Sequence, residues 1–180
     1  YTGDYDLSVE ELMNFHRKRM SVLADCEPDL FAFETIPNLN EVQALVKLMS
    51  EFPNRSAWLS LSSKGKDRLA DGTPFEKAIQ IANESDQIIA VGVNCLPPEN
   101  VSPLLKIAQS ETDKPLLAYP NSGEKWDAQN HCWLPNAKKG DFKTLAKEWF
   151  EIGARLIGGC CRTTTADIAE IRESLKKCSK

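Results

Sequence analysis

The sequence has no excess of positive charge, which argues against proteins that bind nucleic acids or anionic membrane surfaces. It contains 22 Lys and Arg residues against 26 Asp and Glu residues, and its net charge at neutral pH is −4. The basic residues form no evident patch along the chain. We therefore expect neither nucleic acid nor a membrane as a partner, because both are recognised largely through clustered positive charge.

Long apolar runs and a secretory signal are missing too. Ile88–Val93 is typical of the longest apolar runs, and its length suits a buried strand, far short of the stretch that spans a bilayer. Residues 1–20 are acidic and amphipathic, whereas a secretory signal has an apolar centre. The chain is 42% hydrophobic and 27% charged, which is the composition of a globular domain with one sizeable core.

The cysteines lack the regular spacing that a disulfide framework needs. There are 6 of them, at Cys26, Cys95, Cys132, Cys160, Cys161 and Cys178. A chain with this many core residues folds without disulfides, so we expect a reducing, cytoplasmic location, in which clustered cysteines indicate metal or redox chemistry. Cys26 and Cys178 are interpreted as small buried hydrophobic residues.

Short apolar segments alternate with amphipathic ones along the chain. Several of the apolar segments are apolar on both faces, as parallel strands are when helices cover them. Five strands are predicted, at Asp29–Thr35, Ala57–Ser62, Ile88–Asn94, Pro115–Tyr119 and Ala154–Gly158. Helices are predicted to start at Ser8, where Glu11 completes a capping box, and at Asn38 and Thr73. Further helices are expected near residues 102–109, 142–152 and 165–176.

This order of elements predicts an α/β fold of the (β/α)8 barrel type, of which the chain holds the last five βα units. Strand starts recur roughly every 30 residues, the repeat of a barrel of about 250 residues. A doubly wound open sheet fits less well because no glycine-rich phosphate loop follows the first strand. We expect about three further units, roughly 90–100 residues, before Tyr1. Two open sheet edges make this N-terminal part of the barrel an expected partner.

Polar and sulfur-containing side chains follow the predicted strands at their carboxyl ends, where barrel active sites lie. The strand ends carry Glu34-Thr35, Ser62-Ser63, Asn94-Cys95, Tyr119-Pro120-Asn121 and Gly159-Cys160-Cys161. Cysteines thus fall at two of these ends. Zinc favours thiolates in tetrahedral coordination, and three protein ligands leave one position open for a substrate. Gly158 and Gly159 are expected to relax the backbone so that both neighbouring cysteines reach one metal ion.

Four segments make the resemblance to a known family specific. Val91–Cys95 (VGVNC) and Gly158–Thr164 (GGCCRTT) look like the two zinc motifs of the homocysteine S-methyltransferase family. Phe33–Thr35 (FET), followed by Glu41, and Tyr119–Glu124 (YPNSGE) resemble that family as well. The resemblance covers essentially the whole chain and is nearest to the single-domain branch that uses S-methylmethionine. Residues 1–180 then form the C-terminal portion of a single homocysteine-binding barrel domain.

The resemblance implies a zinc-dependent methyl transfer to homocysteine. Cys95, Cys160 and Cys161 would bind Zn²⁺, and the thiolate of homocysteine would take the fourth position. That thiolate would attack the methyl group of a sulfonium donor, S-methylmethionine or S-adenosylmethionine, to give methionine.

The same resemblance implies roles for four further residues. Glu34 would bind the amino group of homocysteine, and Asn94 would orient a metal ligand or the substrate. Tyr119 and Asn121 belong to a loop that would shape the substrate pocket.

Other interpretations remain open at this point. The chain could be a fragment that binds zinc without turning over, betaine could be the methyl donor, or Cys160 and Cys161 could serve a thiol redox protein. His131 and Cys132 are interpreted as solvated loop residues, because loop pairs of this kind lack the converging ligands that zinc needs. His16 lies among charged residues of the first helix and receives no role.

Overall fold

The computed structural model describes residues 2–134 and 140–176, in which five parallel strands form one sheet. In spatial order these strands are β1 Phe31–Ile36, β2 Ala57–Leu61, β3 Ile88–Asn94, β4 Leu116–Tyr119 and β7 Ala154–Ile157. Two short strands, β5 Trp126–Asp127 and β6 Cys132–Trp133, pair as an antiparallel hairpin. Every predicted strand is present, and each boundary lies within two residues of the prediction.

Helices alternate with the strands of the large sheet. They are α1 Val9–Asp25, α2 Leu39–Leu48, α3 Phe75–Ala82, α4 Val101–Glu111, α5 Phe142–Ile152 and α6 Thr165–Leu175. Single 3₁₀ turns cover Met49–Glu51 and Pro98–Asn100. The strands lie side by side in chain order without a reversal, whereas a doubly wound sheet reverses its order at a switch point. The topology is therefore that of five consecutive βα units of a (β/α)8 barrel.

Two helix starts agree with the sequence, and one does not. The Ser8 hydroxyl accepts a hydrogen bond from the Glu11 backbone, and the Glu11 carboxylate accepts one from the Ser8 backbone, as a capping box requires. Asn38 caps α2 through its side-chain oxygen. The prediction that Thr73 caps α3 is wrong: the helix begins at Phe75 and no side chain caps it.

The central strands are buried on both faces except at Ile89 near the start of β3, as their apolar composition predicts. Leu59, Val91 and Ala118 have no exposed surface. Gly92 lies where β3 and β4 approach most closely, and a Cβ atom built on it would be 1.9 Å from the carbonyl oxygen of Leu117. This separation is far below any real contact, so the pairing of β3 with β4 requires glycine at this position.

The two outer strands are much more open than the central ones. In β1 the side chains of Ala32 and Glu34 are exposed, and in β7 those of Arg155 and Leu156 are exposed. Within the described residues neither strand has a partner on its outer edge. Helix α1 also carries large exposed apolar side chains, with Phe15 63% exposed. The expectation that a five-unit piece leaves two open edges is met.

A buried polar cluster joins the N-terminal segment, α1 and α2. His16 is 9% exposed, and its Nε2 lies 2.8 Å from Oε1 of Glu41. The Tyr5 hydroxyl donates a hydrogen bond to the other carboxylate oxygen of Glu41. The interpretation of His16 as a residue of a charged face without a role is therefore wrong: its ring lies in the contact between the two helices, where its Nδ1 also lies 3.4 Å from a guanidinium nitrogen of Arg19.

The stretch between β4 and α5 leaves β4 at its carboxyl end and includes the β5–β6 hairpin. Residues 135–139 of this stretch lie outside the described part of the chain. Among the helices of the described residues, none combines the length and the hydropathy needed to cross a membrane.

Candidate metal centre

Three cysteine sulfur atoms converge at the carboxyl ends of β3 and β7. The Sγ atoms of Cys95, Cys160 and Cys161 all lie within 4.8 Å of one another, and those of Cys95 and Cys161 are 3.6 Å apart. Tetrahedral zinc with Zn–S bonds of about 2.3 Å places its sulfur ligands about 3.8 Å apart. All three residues are partly buried, so a bound ion would be shielded yet reachable. The type of donor atom, the number of donors and their spacing therefore fit a zinc ion with one open position.

Cys95 reaches the cluster through an unusual backbone conformation. It directly follows β3 and has a φ angle of +55°, a left-handed conformation that few non-glycine residues adopt. Its backbone N–H donates to the carbonyl oxygen of Tyr119 at 3.3 Å. The chain thus turns sharply at the end of the strand, and the turn is held by the neighbouring strand.

Cys160 and Cys161 lie in a tight loop between β7 and α6. The carbonyl oxygen of Cys160 accepts hydrogen bonds from the backbone and the hydroxyl of Thr163, at 3.2 and 2.7 Å. The loop continues through Arg162, which has a φ angle of +65° and whose guanidinium Nε contacts Glu124 at 2.8 Å. These contacts fold the chain back on itself, so that two adjacent cysteines reach the same point.

The glycines before this pair act differently from the prediction. Neither Gly158 nor Gly159 adopts a left-handed conformation. Gly159 is needed because a Cβ atom there would be 2.4 Å from the hydroxyl of Thr163, whereas at Gly158 it would meet only an ordinary contact of 3.6 Å with Tyr119. The loop therefore requires a small residue at Gly159 for space.

The segment after β4 contains no cysteine but contacts both cysteine segments. Its Pro120 carbonyl accepts a hydrogen bond from the Cys160 backbone at 2.7 Å, and the Asn121 side-chain oxygen accepts one from the Cys161 backbone at 3.2 Å. The Asn121 backbone in turn donates to the carbonyl oxygen of Leu96, next to Cys95. This segment, Tyr119–Ser122, therefore holds the two cysteine segments in a common frame.

Without a cation the cluster favours neutral thiols. Burial raises the pKa of the Cys95 thiol, and the neighbouring sulfurs of Cys160 and Cys161 raise it further. Burial also raises the pKa of Cys160. A divalent cation would reverse this tendency, because its charge stabilises thiolates and displaces their protons.

Asn94 is fully enclosed beside the cluster. It is 2% exposed, and its side-chain oxygen accepts hydrogen bonds from the Thr35 backbone and the Ser60 hydroxyl, at 2.9 and 2.7 Å. Its amide nitrogen donates to the hydroxyl of Thr35 at 2.8 Å. Asn94 therefore links the carboxyl ends of β1, β2 and β3.

Glu34 and Tyr119 face each other across the inner surface of the sheet. The Tyr119 hydroxyl lies 3.3 Å from Oε1 of Glu34 and donates to it. Burial and the nearby Glu34 charge raise the pKa of Tyr119, so this hydroxyl stays protonated at neutral pH. Both residues line a cavity of about 490 Å³ that also reaches Trp58 and Gly159, next to the cysteines.

The remaining cysteines and the second histidine lie elsewhere. His131 and Cys132 belong to the hairpin; Cys132 is exposed, and neither is in the metal-ligand cluster found among the described residues. Cys26 is exposed at the end of α1, so its interpretation as a buried residue is wrong. Cys178 lies outside the described residues.

Sequence reasoning missed the supporting contacts of the site. Asn121 was expected to shape a substrate pocket, yet its described hydrogen bonds go to the backbones of Cys161 and Leu96. Ser60 and Thr35, which enclose Asn94, received no role of their own. Their positions at or near strand ends were the only available signal, because such hydrogen bonds depend on which strands become neighbours.

Comparison with known proteins agrees with this geometry. The family model described as homocysteine S-methyltransferase matches residues 1–175. Homocysteine S-methyltransferase 1 of Brassica oleracea var. italica is 42% identical, over 98% of this chain and 56% of the plant protein. Homocysteine S-methyltransferase YbgG of Bacillus subtilis (strain 168) is 43% identical, over 95% of this chain and 54% of the bacterial protein.

The fold is also similar to that of a solved structure. The solved structure of the homocysteine methyltransferase MmuM from Escherichia coli, in its metallated form, superposes with a TM-score of 0.83 and 38% sequence identity. The match covers 96% of this chain and 54% of that one. The chain thus spans about half the length of the curated relatives it matches, and it carries part of a (β/α)8 barrel. With the family model matching nearly all of its residues, the chain belongs to the homocysteine S-methyltransferase family.

Proposed function

We propose that this chain is the zinc-holding part of an enzyme that transfers a methyl group from a sulfonium donor to homocysteine, giving methionine. The observation that carries the proposal is the convergence of three cysteine sulfurs within 4.8 Å at the carboxyl ends of barrel strands, in a member of this family. Methyl transfer to homocysteine is the activity that the names of its relatives state.

Cys95, Cys160 and Cys161 hold the metal ion. When bound, Zn²⁺ with three thiolate ligands offers its open position to a further thiol and stabilises that thiol as a thiolate at neutral pH. A free thiol, with a pKa of about 8.5, is mostly protonated there and is a weak nucleophile. The protein contributes the fixed positions of the three sulfurs, which the Tyr119–Ser122 segment holds together.

Homocysteine lies in the cavity beside the cysteines. The exposed carboxylate of Glu34 binds its ammonium group, and the Tyr119 hydroxyl, 3.3 Å from that carboxylate, orients it. Asn121 shapes the pocket through its hydrogen bond to Cys161, and Asn94, whose side-chain oxygen accepts a hydrogen bond from the Thr35 backbone next to Glu34, orients the substrate. The substrate is thereby held at both its amine and its sulfur.

The reaction is a single displacement. A lone pair of the homocysteine thiolate forms a bond to the methyl carbon, while the bond between that carbon and the sulfonium sulfur breaks and its electron pair stays on the departing sulfur. The leaving group is a neutral thioether, so no general acid is required. Catalysis then rests on thiolate formation and in-line positioning. The donor is S-methylmethionine or S-adenosylmethionine, and betaine is the alternative.

The cellular location and the partners follow from the same chemistry. Three reduced cysteines require a reducing compartment, which supports a cytoplasmic location. The partners are homocysteine, the methyl donor and the N-terminal part of the barrel, which would cover the open edges of β1 and β7. These open edges also favour a second candidate, in which the chain binds zinc but does not turn over by itself.

The first test is the zinc content per chain, measured by elemental analysis on protein purified under reductant. We expect about one zinc ion per wild-type chain and little in Cys95→Ala, because two thiolates bind zinc much more weakly than three. Cys26→Ala, which removes an exposed cysteine outside the cluster, should keep the wild-type value. Full zinc occupancy in Cys95→Ala would contradict the assignment.

Methionine formation separates the two candidates. Homocysteine and S-methylmethionine are supplied to the chain alone and to the chain preceded by the N-terminal part of a barrel. Activity only in the longer protein identifies the chain as a non-catalytic zinc-binding fragment, whereas activity in the chain alone excludes that candidate. Loss of activity in Cys160→Ala and Cys161→Ala is expected in whichever form is active.

A further inference from the structure

Asn94 connects the two ends of the proposed substrate site. It is the last residue of β3 and directly precedes Cys95, and its side chain reaches across β2 to the end of β1, where Thr35 directly follows Glu34. Buried amides of this kind are almost always hydrogen-bonded, and here both lone pairs of the oxygen are used, by Thr35 and Ser60. The side chain is therefore fixed in one orientation.

Asn94 holds Thr35, the residue after Glu34, in an unusual backbone conformation. Thr35 has a φ angle of +60°, which is rare and unfavourable for a β-branched residue. Asn94 contacts both the backbone N–H and the hydroxyl of this residue, at 2.9 and 2.8 Å. Those two hydrogen bonds hold the irregularity of β1 between Phe33 and Ile36, where the register with β2 shifts, and the backbone direction there determines where the preceding carboxylate, Glu34, points.

The metal side of the site is held independently of the Asn94 side chain. Cys95, next in the chain, is also left-handed, with a φ angle of +55°. A change in the Asn94 side chain would release the irregular backbone of β1 at Thr35, while Cys95 would keep its own hydrogen bond to the Tyr119 carbonyl. Loss of Asn94 should therefore move the carboxylate relative to the sulfur cluster more than it moves the cluster itself.

We propose that Asn94 is a positioning residue that fixes the distance between the Glu34 carboxylate and the sulfur cluster, and thereby selects an amino thiol of the length of homocysteine. The inference rests on the proposed function. Homocysteine carries one methylene group more than cysteine between its amine and its sulfur. Two anchors at a fixed separation accept the longer molecule and disfavour the shorter one, by roughly the 10- to 200-fold that one methylene group is worth.

The test uses the chain loaded with Co²⁺, whose absorption bands report thiolate ligands, in the presence of a phosphine reductant. Three thiols are titrated: homocysteine, cysteine, and 4-mercaptobutyrate, which has the length of homocysteine without the amine. In the wild type we expect homocysteine to bind at least about tenfold more tightly than either of the others. In Asn94→Ala we expect this preference to fall to about twofold or less, while 4-mercaptobutyrate, which does not use Glu34, binds as before.

A matched control and a milder variant accompany this measurement. Asn83 also bridges two elements through its amide, with hydrogen bonds of 2.7 and 2.6 Å to Glu111 and Thr112, but it lies at the end of α3, away from the cysteines. Asn83→Ala should keep the wild-type preference. If Asn94→Ala does not fold, Thr35→Val, which removes only the hydroxyl contact, should show the same selective loss at smaller size.

The outcomes distinguish this inference from the proposed function. If no thiol changes the cobalt bands of the wild type, either as the chain alone or joined to the N-terminal part of a barrel, the proposed function fails and this inference is overturned with it. If the wild type prefers homocysteine and Asn94→Ala keeps that preference, only the role of Asn94 is overturned. Equally weakened binding of all three thiols in Asn94→Ala, or loss of the bound metal ion, also overturns the role of Asn94. Either result would report general damage to the site.

Discussion

Glu41 is a buried carboxylate that contacts two segments distant from it in the sequence. It lies at the start of α2, is 9% exposed, and receives contacts from Tyr5 in the N-terminal segment and from His16 in α1. Burial opposes its ionisation, but the hydrogen bonds from His16 and Tyr5 outweigh burial and hold the pKa of Glu41 below its ordinary value of 4.5. The ionised carboxylate is thus the form that the fold favours.

We predict that Glu41→Gln lowers the free energy of unfolding at neutral pH by about 1.5–3 kcal/mol, the usual range for a hydrogen bond to a charged group. Since the pKa of Glu41 is lower in the folded than in the unfolded chain, its stabilisation is fully present above pH 4.5 and is lost as the pH falls through the folded-state value. The difference between wild type and variant, measured by urea unfolding at several pH values, should therefore shrink in acid.

Glu51→Gln is the matched control for this prediction. Glu51 also pairs with α1, through Arg17 at 2.8 Å, but the two side chains are 39% and 34% exposed. A pair so exposed contributes little to stability, because solvent screens it. A Glu51→Gln variant as unstable as Glu41→Gln, or a Glu41→Gln effect independent of pH, would show that burial of the Glu41 charge is not the cause.

Single residues were predictable from the sequence where a local pattern identifies them. The adjacent Cys160 and Cys161, together with Cys95 at another strand end, could be grouped because strand ends of one barrel share a face. The partners of His16 and Asn94 could not be predicted, because they come from residues 25 and 59 positions away. The charged residues next to His16 in the sequence indicated an exposed position, but a helix turns about 100° per residue, so adjacent side chains face different ways. Arg19, three residues further on, does contact the His16 ring.

At the scale of elements, the loops after three strands form one unit. The segments after β3, β4 and β7 are joined by hydrogen bonds between backbones, and the middle segment contributes no sulfur. The strands and their order followed from the apolar pattern, whereas these loop contacts depend on the exact turn of each loop. The expected reason for the glycine pair was accordingly wrong, although the cysteine cluster they precede does form.

We predict that Gly159→Ala weakens zinc binding by roughly 10- to 100-fold, the range observed when residues that support metal ligands are changed. The added methyl group would overlap Thr163, whose hydroxyl holds the Cys160 carbonyl, and the loop must open to accept it. Zinc affinity is measured by competition with a chromophoric chelator under reductant.

Gly158→Ala is the control, because a methyl group there meets only an ordinary contact of 3.6 Å. It should change zinc affinity by less than about threefold, as expected for a substitution without a clash. Equal effects of the two substitutions would mean that the loop tolerates the Thr163 contact or that both glycines are needed for their backbone freedom.

At the scale of the molecule, the sheet has central strands with a partner on each edge and outer strands with a free edge within the described residues. Strands β2, β3 and β4 are paired on both edges, whereas β1 and β7 are paired on one edge only within the described residues. Unpaired strand edges and exposed apolar side chains such as Phe15, Val22 and Leu23 favour association. The order of the strands predicts that closure requires about three more units between these two edges.

We therefore predict that joining an N-terminal segment of three βα units to this chain protects its outer strands selectively. Hydrogen–deuterium exchange, followed by mass spectrometry, should slow by at least about tenfold for peptides covering Phe31–Ile36 and Ala154–Ile157, because backbone groups on both outer edges gain partners. Peptides covering Ile88–Asn94, already paired on both edges, serve as the internal control and should change much less. Equal slowing of all three strands would indicate general stabilisation, and unchanged exchange at β1 and β7 would mean that the added units do not complete this sheet.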